Sequence, residues 1–174
     1  MKIGKILSIF LFILIFSLTS CGKKDYSLNE DNFFLVMTNI QYYPDQYLES
    51  QIDLDCFTYE LKDVDDNSYI LGVRKCSAGY GCTCGKDTII GFILNYNNKI
   101  PEPKNQSVDT VEKSWIHLSG NIASNEFTQI TIHSYNEDGS INYDTNETIS
   151  FLTFNVDSLE IIEDYQNLKY YVTK

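Results

Sequence analysis

The stretch IDLDCFTYEL, residues 52–61, decides the fold class because apolar and polar side chains alternate along it. A period of two is typical of a β-strand with one covered face, whereas a helix repeats about every 3.6 residues. Apolar residues take every second position from Ile52 to Cys56, and again from Phe57 to Leu61. The one-residue shift between these two sets predicts a β-bulge within a bent strand.

Further segments with the same alternation follow along the chain. They cover residues 69–76, 88–96, 114–122, 127–135 and 148–156. Turn-forming residues separate them at 63–68, 97–108, 124–125 and 137–140. Short strands with a bent first member predict a mainly β fold, and we expect a small antiparallel OB-like barrel.

A short helix is predicted in front of these strands. Residues 31–43 carry apolar side chains at helical spacing, and Asp31 or Asn32 can cap the first turn. Pro44 stands just beyond the expected end of this helix.

The N-terminus has the features of an export signal. Lys2 and Lys5 precede an uncharged, apolar run from Ile6 to Ser20, which is shorter than the roughly 20 residues of a membrane span. An uncleaved helical anchor is the alternative. Leu18-Thr19-Ser20-Cys21 resembles the lipobox of bacterial lipoproteins, and the resemblance implies cleavage before Cys21 and attachment of acyl chains such as palmitate to it.

These features predict the domain organisation and the location of the chain. We expect a signal peptide over residues 1–20, a polar tether over residues 21–30 and a single OB-like β domain over residues 31–174. The lipid on Cys21 would hold the domain outside the cytoplasm, at the cell membrane or the outer membrane, and the sequence does not choose between the two.

Charge limits the classes of partner. Without the predicted signal peptide, which holds two of the 13 basic residues and none of the 24 acidic ones, the formal charge is 11 − 24 = −13. Nucleic acids and anionic headgroups are bound by clustered lysines and arginines, so no nucleic-acid partner is expected.

Several short stretches carry a resemblance to a known family. They are residues 43–47, 52–59, 74–76, 87–92, 115–120, 156–164 and 170–172. In this order they resemble the C-terminal domain of YcgQ-type proteins, which are membrane proteins usually encoded beside a permease-like partner. The resemblance implies a cell-envelope role and supplies no reaction. The chain departs from that family in its lipobox and in its cysteine spacing, and Cys76 and Asp87 are the best-matched positions of the family's cysteine segment.

Four cysteines remain beside the predicted lipidation site: Cys56, Cys76, Cys82 and Cys84. A hairpin about residues 63–68 would place Cys56 across from Arg74, near Cys76, and the glycines after Cys76 would let the loop return. Two structural disulfides are the first prediction, with Cys56 bonded to Cys82 or Cys84 and Cys76 to the other. A four-thiolate zinc or iron site and a redox-active pair are the alternatives.

Other candidate sites have weaker patterns. His117 and His133 would be diagonal neighbours if residues 121–126 formed a turn, which would allow a metal pair, although exposed strand histidines are commoner. Trp115 would share their face, with packing as the simpler role. Asp63, Asp65 and Asp66 resemble the start of a calcium loop but lack its glycine and its final glutamate.

No nucleophile with a partner base stands out, so we expect no catalytic residues and a non-catalytic binding or accessory module. The module would belong to a permease-like or metal-linked system, with an envelope membrane protein as its partner. Zinc at the cysteine cluster is the candidate cofactor. The alternative function is a thiol-disulfide or metal-handling protein that uses Cys76, Cys82 and Cys84. A third, oligosaccharide binding, follows from the OB-like expectation alone.

Overall fold

The computed structural model describes residues 24–76, 89–136 and 140–172, and the fold is mainly β, as the sequence predicts. Its elements, in chain order, are β1 (Asp25–Leu28), α1 (Phe33–Tyr42), a 3-10 turn (Pro44–Gln46), β2 (Gln51–Lys62), β3 (Ser68–Cys76), β4 (Ile89–Asn95), β5 (Trp115–Tyr135), β6 (Ile141–Ile161) and β7 (Tyr171–Val172). Cys21, Cys82, Cys84 and Asp87 lie outside the described residues.

The strands form one sheet in the order β1-β2-β5-β6-β4-β3-β7, and β2 also pairs with β3. Residues 52–57 of β2 pair with β5, while residues 57–62 pair with β3. The pairings β2–β3–β4–β6–β5–β2 therefore return to their starting strand. Within this ring β4 and β6 are parallel, and the other neighbours are antiparallel.

Both faces of β2 are covered, each along a different half of the strand. Ile52, Leu54 and Cys56 belong to the first core cluster, together with α1, whereas Phe57 and Leu61 belong to the second. The register with β3 and with β5 is regular through Phe57. The predicted bulge is therefore wrong. The apolar pattern shifts by one residue because the two halves of β2 bury opposite faces, and no extra residue is inserted in the strand.

The helix α1 is close to its predicted range, but its capping differs. Asn32 is the N-cap without a side-chain bond to the helix; its Oδ1 accepts instead from the Asn29 N–H at 2.8 Å. On the inner face, Phe33, Met37 and Ile40 are buried at helical spacing, and Pro44 follows the last turn as predicted. No helix in the described ranges is long and apolar enough to cross a membrane.

Two strands differ from the sequence-based expectation. Residues 25–28, inside the predicted tether, form β1, which pairs in parallel with β2 and buries Leu28. The predicted turn at residues 124–125 is wrong, because β5 runs through it and only the register with β6 is irregular between Ile122 and Phe127. The long β5–β6 hairpin extends beyond the ring and forms one wall of the candidate site.

Candidate binding cleft

A cleft of about 410 Å³ lies between the end of β2, with the β2–β3 turn, and the far part of the β5–β6 hairpin. Its size is in the range of small-ligand and peptide-anchor pockets. Its walls include Tyr59, Glu60, Lys62, Asp63, Asp66, Gln106, His133, Tyr135, Ile141 and Tyr143.

The β2–β3 turn is held rigid by the carboxylate of Asp63. Its oxygens accept from the Asn67 side chain at 2.8 Å, from the Asn67 backbone N–H at 2.8 Å and from the Asp65 N–H at 2.9 Å. These bonds, that of the Asn67 side chain first, lower the pKa of Asp63 below its ordinary value. Asp66 has a φ of 63°, the left-handed conformation that such a tight turn requires. The Asp63 oxygens thus stabilise the turn by accepting hydrogen bonds within it, as in an Asx turn.

The opposite wall is aromatic. Tyr135 and Tyr143 are 58% and 71% exposed, so each ring presents most of its surface to solvent. The ring of His133 meets that of Tyr143 edge-on at 4.9 Å, and His133 Nδ1 lies 3.0 Å from Asn146 Oδ1. Across the cleft, burial raises the pKa of Tyr59, and the nearby Tyr135 adds to this effect. The cleft thus offers exposed aromatic rings and tyrosine hydroxyls to a ligand.

Polar contacts join the two walls at one point and order the wall that carries the carboxylates. The Val64 N–H donates to the Thr131 carbonyl at 3.0 Å, which attaches the turn to β5. The Gln106 side chain accepts from the Glu60 N–H and donates to the Glu60 carbonyl at 3.4 Å. Ser68 Oγ donates to Glu60 Oε1 at 2.6 Å. The wall of the cleft that carries the carboxylates is therefore preorganised.

A second hollow, of about 680 Å³, lies beside loop 99–104 and the end of β6. Its lining includes Lys99 and Lys104, both long flexible cations, with Tyr165 and the buried Trp115. We place the candidate site in the first cleft because exposed aromatic rings and fixed carboxylates meet there.

The predicted histidine pair does not form. Both residues lie on the continuous strand β5, His117 near its start and His133 near its end. His117 Nδ1 lies 2.7 Å from Asp55 Oδ1 on β2. The hypothesis of a metal pair is therefore wrong, since it depended on a turn at residues 121–126. Trp115 has the packing role, with its ring 5.4 Å from that of Phe57.

The cysteines that the structure describes are buried in the first core cluster. Cys56 and Cys76 are not bonded to one another. Burial raises the pKa of Cys76 to about 11 and raises that of Cys56 strongly, while Arg74 opposes the rise at Cys56. The predicted hairpin, which would place Cys56 near Cys76, is confirmed by the register of β2 with β3. Cys82 and Cys84 lie outside the described ranges, so the four-cysteine cluster stays a prediction. Over residues 24–76, 89–136 and 140–172, no group of three or more histidines, cysteines or acids could hold a metal.

Sequence reasoning missed the cleft tyrosines. Tyr135 and Tyr143 flank the turn that the sequence predicts at residues 137–140, and an aromatic residue on each side of that predicted turn was the available signal. This signal by itself does not locate a site, because the opposite wall, formed by the end of β2 and the β2–β3 turn, lies more than 60 positions away in the sequence.

Comparison with known proteins gives one family and one curated relative. The family described as the DUF1980 C-terminal domain matches residues 18–138. The UPF0703 protein YcgQ of Bacillus subtilis (strain 168) is 27% identical over 106 residues, which cover 59% of this chain and 32% of the relative. The chain thus spans about a third of the relative's length, and the resemblance to the YcgQ-type C-terminal domain is confirmed. No solved structure matches significantly.

Proposed function

The chain belongs to the DUF1980 C-terminal domain family, a family of unknown function, and from that premise we propose that it is a non-catalytic binding module of the cell envelope. Lipid on Cys21 would hold it at the membrane, and the cleft between the β2–β3 turn and the β5–β6 hairpin would hold its partner. The observation that carries the proposal is the meeting of exposed tyrosines and fixed carboxylates in that cleft.

An OB-like barrel is the architecture that we propose for the ring of strands. Counted along the chain, β2, β3, β4, β5 and β6 would be its five strands. The parallel contact then joins the third and fifth strands, and the fourth pairs with the first. The cleft lies between the first turn and the last hairpin of this ring, where OB-folds commonly bind ligands. Its position in the fold therefore supports its role as a site.

The chemistry of the cleft favours a protein segment with basic and apolar side chains as the ligand. Tyrosines are enriched among the residues that contribute most to binding energy at protein interfaces. The carboxylates of Glu60 and Asp66 on the facing wall, together with the net charge of the chain, favour lysine or arginine in the partner. We assign this segment to an envelope membrane protein of the permease-like type.

The cysteines are proposed to stabilise the fold by two disulfides and not to react with substrates. A nucleophilic or redox-active cysteine needs a thiolate, which an accessible, electropositive environment provides. Cys56 and Cys76 have the opposite environment, because they are buried and have raised pKa values. This supports the structural role over the thiol-disulfide alternative.

Site-specific photo-cross-linking in the native envelope tests the proposal. The cross-linking residue is introduced in the full chain either at Tyr143 in the cleft or at Tyr42, which is equally exposed, at 72% against 71%, and lies on α1. We expect position 143 to give one dominant adduct with a membrane protein, identified by mass spectrometry, and position 42 not to give it.

A second substitution makes the result specific to the cleft. Tyr135→Ala should lower the yield of that adduct about tenfold, which corresponds to a loss of about 1.4 kcal/mol, because tyrosines are enriched among the interface residues whose truncation costs more than 1 kcal/mol. The same adduct from both positions, or no protein adduct at position 143, would overturn the assignment of the cleft as the partner site.

A further inference from the structure

The outer face of α1 is uncharged and exposes apolar side chains, which is unusual in a strongly acidic chain. Residues 32–44 contain no charged side chain, although the whole chain has a formal charge of −11. The helix buries Phe33, Met37 and Ile40, and yet it also exposes Leu35, at 58% of its surface. A helix at a protein–water boundary normally has charged residues on its outer face, and α1 has none.

Two exposed aromatic rings continue this face at the end of the helix. Tyr42 is 72% exposed and Tyr43 is 58% exposed, and their ring centroids are 6.4 Å apart. The membrane face, as we name Leu35, Tyr42 and Tyr43 together, is thus uncharged and carries two tyrosines. Tyrosine is a typical residue of the membrane–water interface, because its ring is apolar and its hydroxyl binds water and headgroups.

The membrane face lies close to the start of the described chain. Two consecutive tight turns, with bonds from Gln46 N to Tyr43 O at 3.0 Å and from Tyr47 N to Pro44 O at 2.9 Å, lead from the end of α1 to Tyr47. The ring of Tyr47 lies 4.9 Å from the ring of Tyr26 on β1. The short segment that follows α1 therefore contacts β1.

The predicted lipid attachment site is only a short chain away from this point. Cys21 precedes Asp25, the first residue of β1, by four positions. Four residues reach at most about 14 Å when fully extended. A bilayer that holds the acyl chains of Cys21 would therefore lie within a short distance of β1 and of the end of α1.

We propose that the membrane face rests in the interface of the bilayer that carries the lipid on Cys21, and so fixes the orientation of the domain. The inference rests on the proposed function in one respect, the lipidation of Cys21. The occupant is the uncharged part of a lipid surface, since the face has no lysine or arginine for anionic headgroups. Burial of its apolar area, added to the acyl chains, would strengthen attachment and limit rotation of the domain.

Depth-dependent fluorescence quenching tests this orientation. The full chain is expressed in an exporting host, and the mature lipoprotein is reconstituted into phosphatidylcholine vesicles with or without brominated acyl chains. Tyr42→Trp reports on the membrane face, and Tyr143→Trp, with matched exposure, is the control in the cleft. The single native tryptophan, Trp115, is buried and is subtracted with the unsubstituted protein.

We expect brominated lipid to reduce the emission of Tyr42→Trp by roughly twofold, with a shift to shorter wavelength, and to leave Tyr143→Trp unchanged. The effect should persist at high salt, because no charge attraction contributes to it. A chain that binds vesicles without quenching of Tyr42→Trp overturns this inference and leaves the proposed function intact.

Two other outcomes also decide the matter. A blue shift of Tyr42→Trp that occurs without vesicles and depends on protein concentration would assign the face to a second copy of the chain and overturn the inference. A mature chain without a lipid mass on Cys21, which does not bind vesicles, would overturn both the inference and the proposed anchoring.

Discussion

Arg74 on β3 is a fully buried cation that joins four parts of the molecule. Its guanidinium lies 5.3 Å from the ring centre of Phe33 on α1 and 5.0 Å from that of Trp115 on β5. Its Nε donates to the Asp55 carbonyl of β2 at 2.7 Å, and its Nη1 donates to the Lys169 carbonyl at 3.0 Å. Burial lowers the pKa of Arg74, but an arginine remains charged in proteins. The two bonds and the two rings together replace the water that this charge loses.

Arg74→Leu should therefore destabilise the protein. The substitution removes the donor of two partly buried hydrogen bonds to backbone carbonyls. Hydrogen bonds from charged groups contribute about 1.5–3 kcal/mol each, so we expect a loss of roughly 3 kcal/mol in the free energy of unfolding. Urea unfolding measures it, with the exposed Lys99→Leu as a control that should change stability by less than about 0.5 kcal/mol. Equal effects of the two substitutions would contradict this role of Arg74.

At the scale of elements, β3 and β4 approach one another more closely than side chains would allow. A Cβ on Gly91 of β4 would lie 2.0 Å from the Gly72 carbonyl oxygen and 2.8 Å from the Val73 Cα, both of them backbone atoms. A Cβ on Gly72 itself would meet only side chains, the nearest being Cys56 Sγ at 2.9 Å. Glycine is therefore needed at position 91 for a backbone reason and at position 72 for a packing reason.

Gly91→Ala should cost more stability than Gly72→Ala, although both add one methyl group at the same pair of strands. Backbone atoms can move only if the β3–β4 pairing shifts, so we expect a loss of about 3 kcal/mol for Gly91→Ala, and less for Gly72→Ala, where side chains can rotate away. Thermal or urea unfolding of the two variants gives the comparison. A larger loss of stability for Gly72→Ala would mean that the backbones of β3 and β4 do not approach this closely at Gly91.

At the scale of the whole molecule, Asp109 ties the long connection between β4 and β5 to strands far away along the chain. Its carboxylate accepts from Lys75 Nζ of β3 at 3.1 Å and from the hydroxyls of Tyr171 and Tyr170 at 3.0 and 3.3 Å. The bond from Lys75 is the largest of the effects that lower the pKa of Asp109. The charged form of Asp109 therefore stabilises the folded state.

This contribution should disappear in acid. Because the folded-state pKa is depressed, the stabilisation is fully present above the unfolded-state value of about 3.9 and is lost as the pH falls through the folded-state pKa. Asp109→Asn should be less stable than the parent chain at pH 7, and the two should converge in acid. Urea unfolding at pH 7 and in acid tests this, with the exposed Asp164→Asn as control. A stability difference between Asp109→Asn and the parent chain that does not change with pH would refute it.

The cleft also belongs to the scale of the whole molecule, and sequence patterns could not locate it. The alternation of residues 52–61 predicted the strand that carries Tyr59, and the turn residues predicted the hairpin with β3. They could not show that Val64 bonds to Thr131 or that β5 continues past Asn125, because these depend on which strands pair.

The sequence by itself determined the mainly β fold, the position of α1 and the membership of the family, because local periodicity, turn chemistry and short motifs carry that information. It also supplies the resemblance to a lipobox on which the proposed anchoring depends. Only the tertiary structure decided the ring of pairings, the burial of opposite faces along β2, and the separation of His117 from His133. The physical reason is that an alternation with period two shows only which side chains share a face of a strand. Packing between distant segments determines which strand pairs with it and which element covers each face.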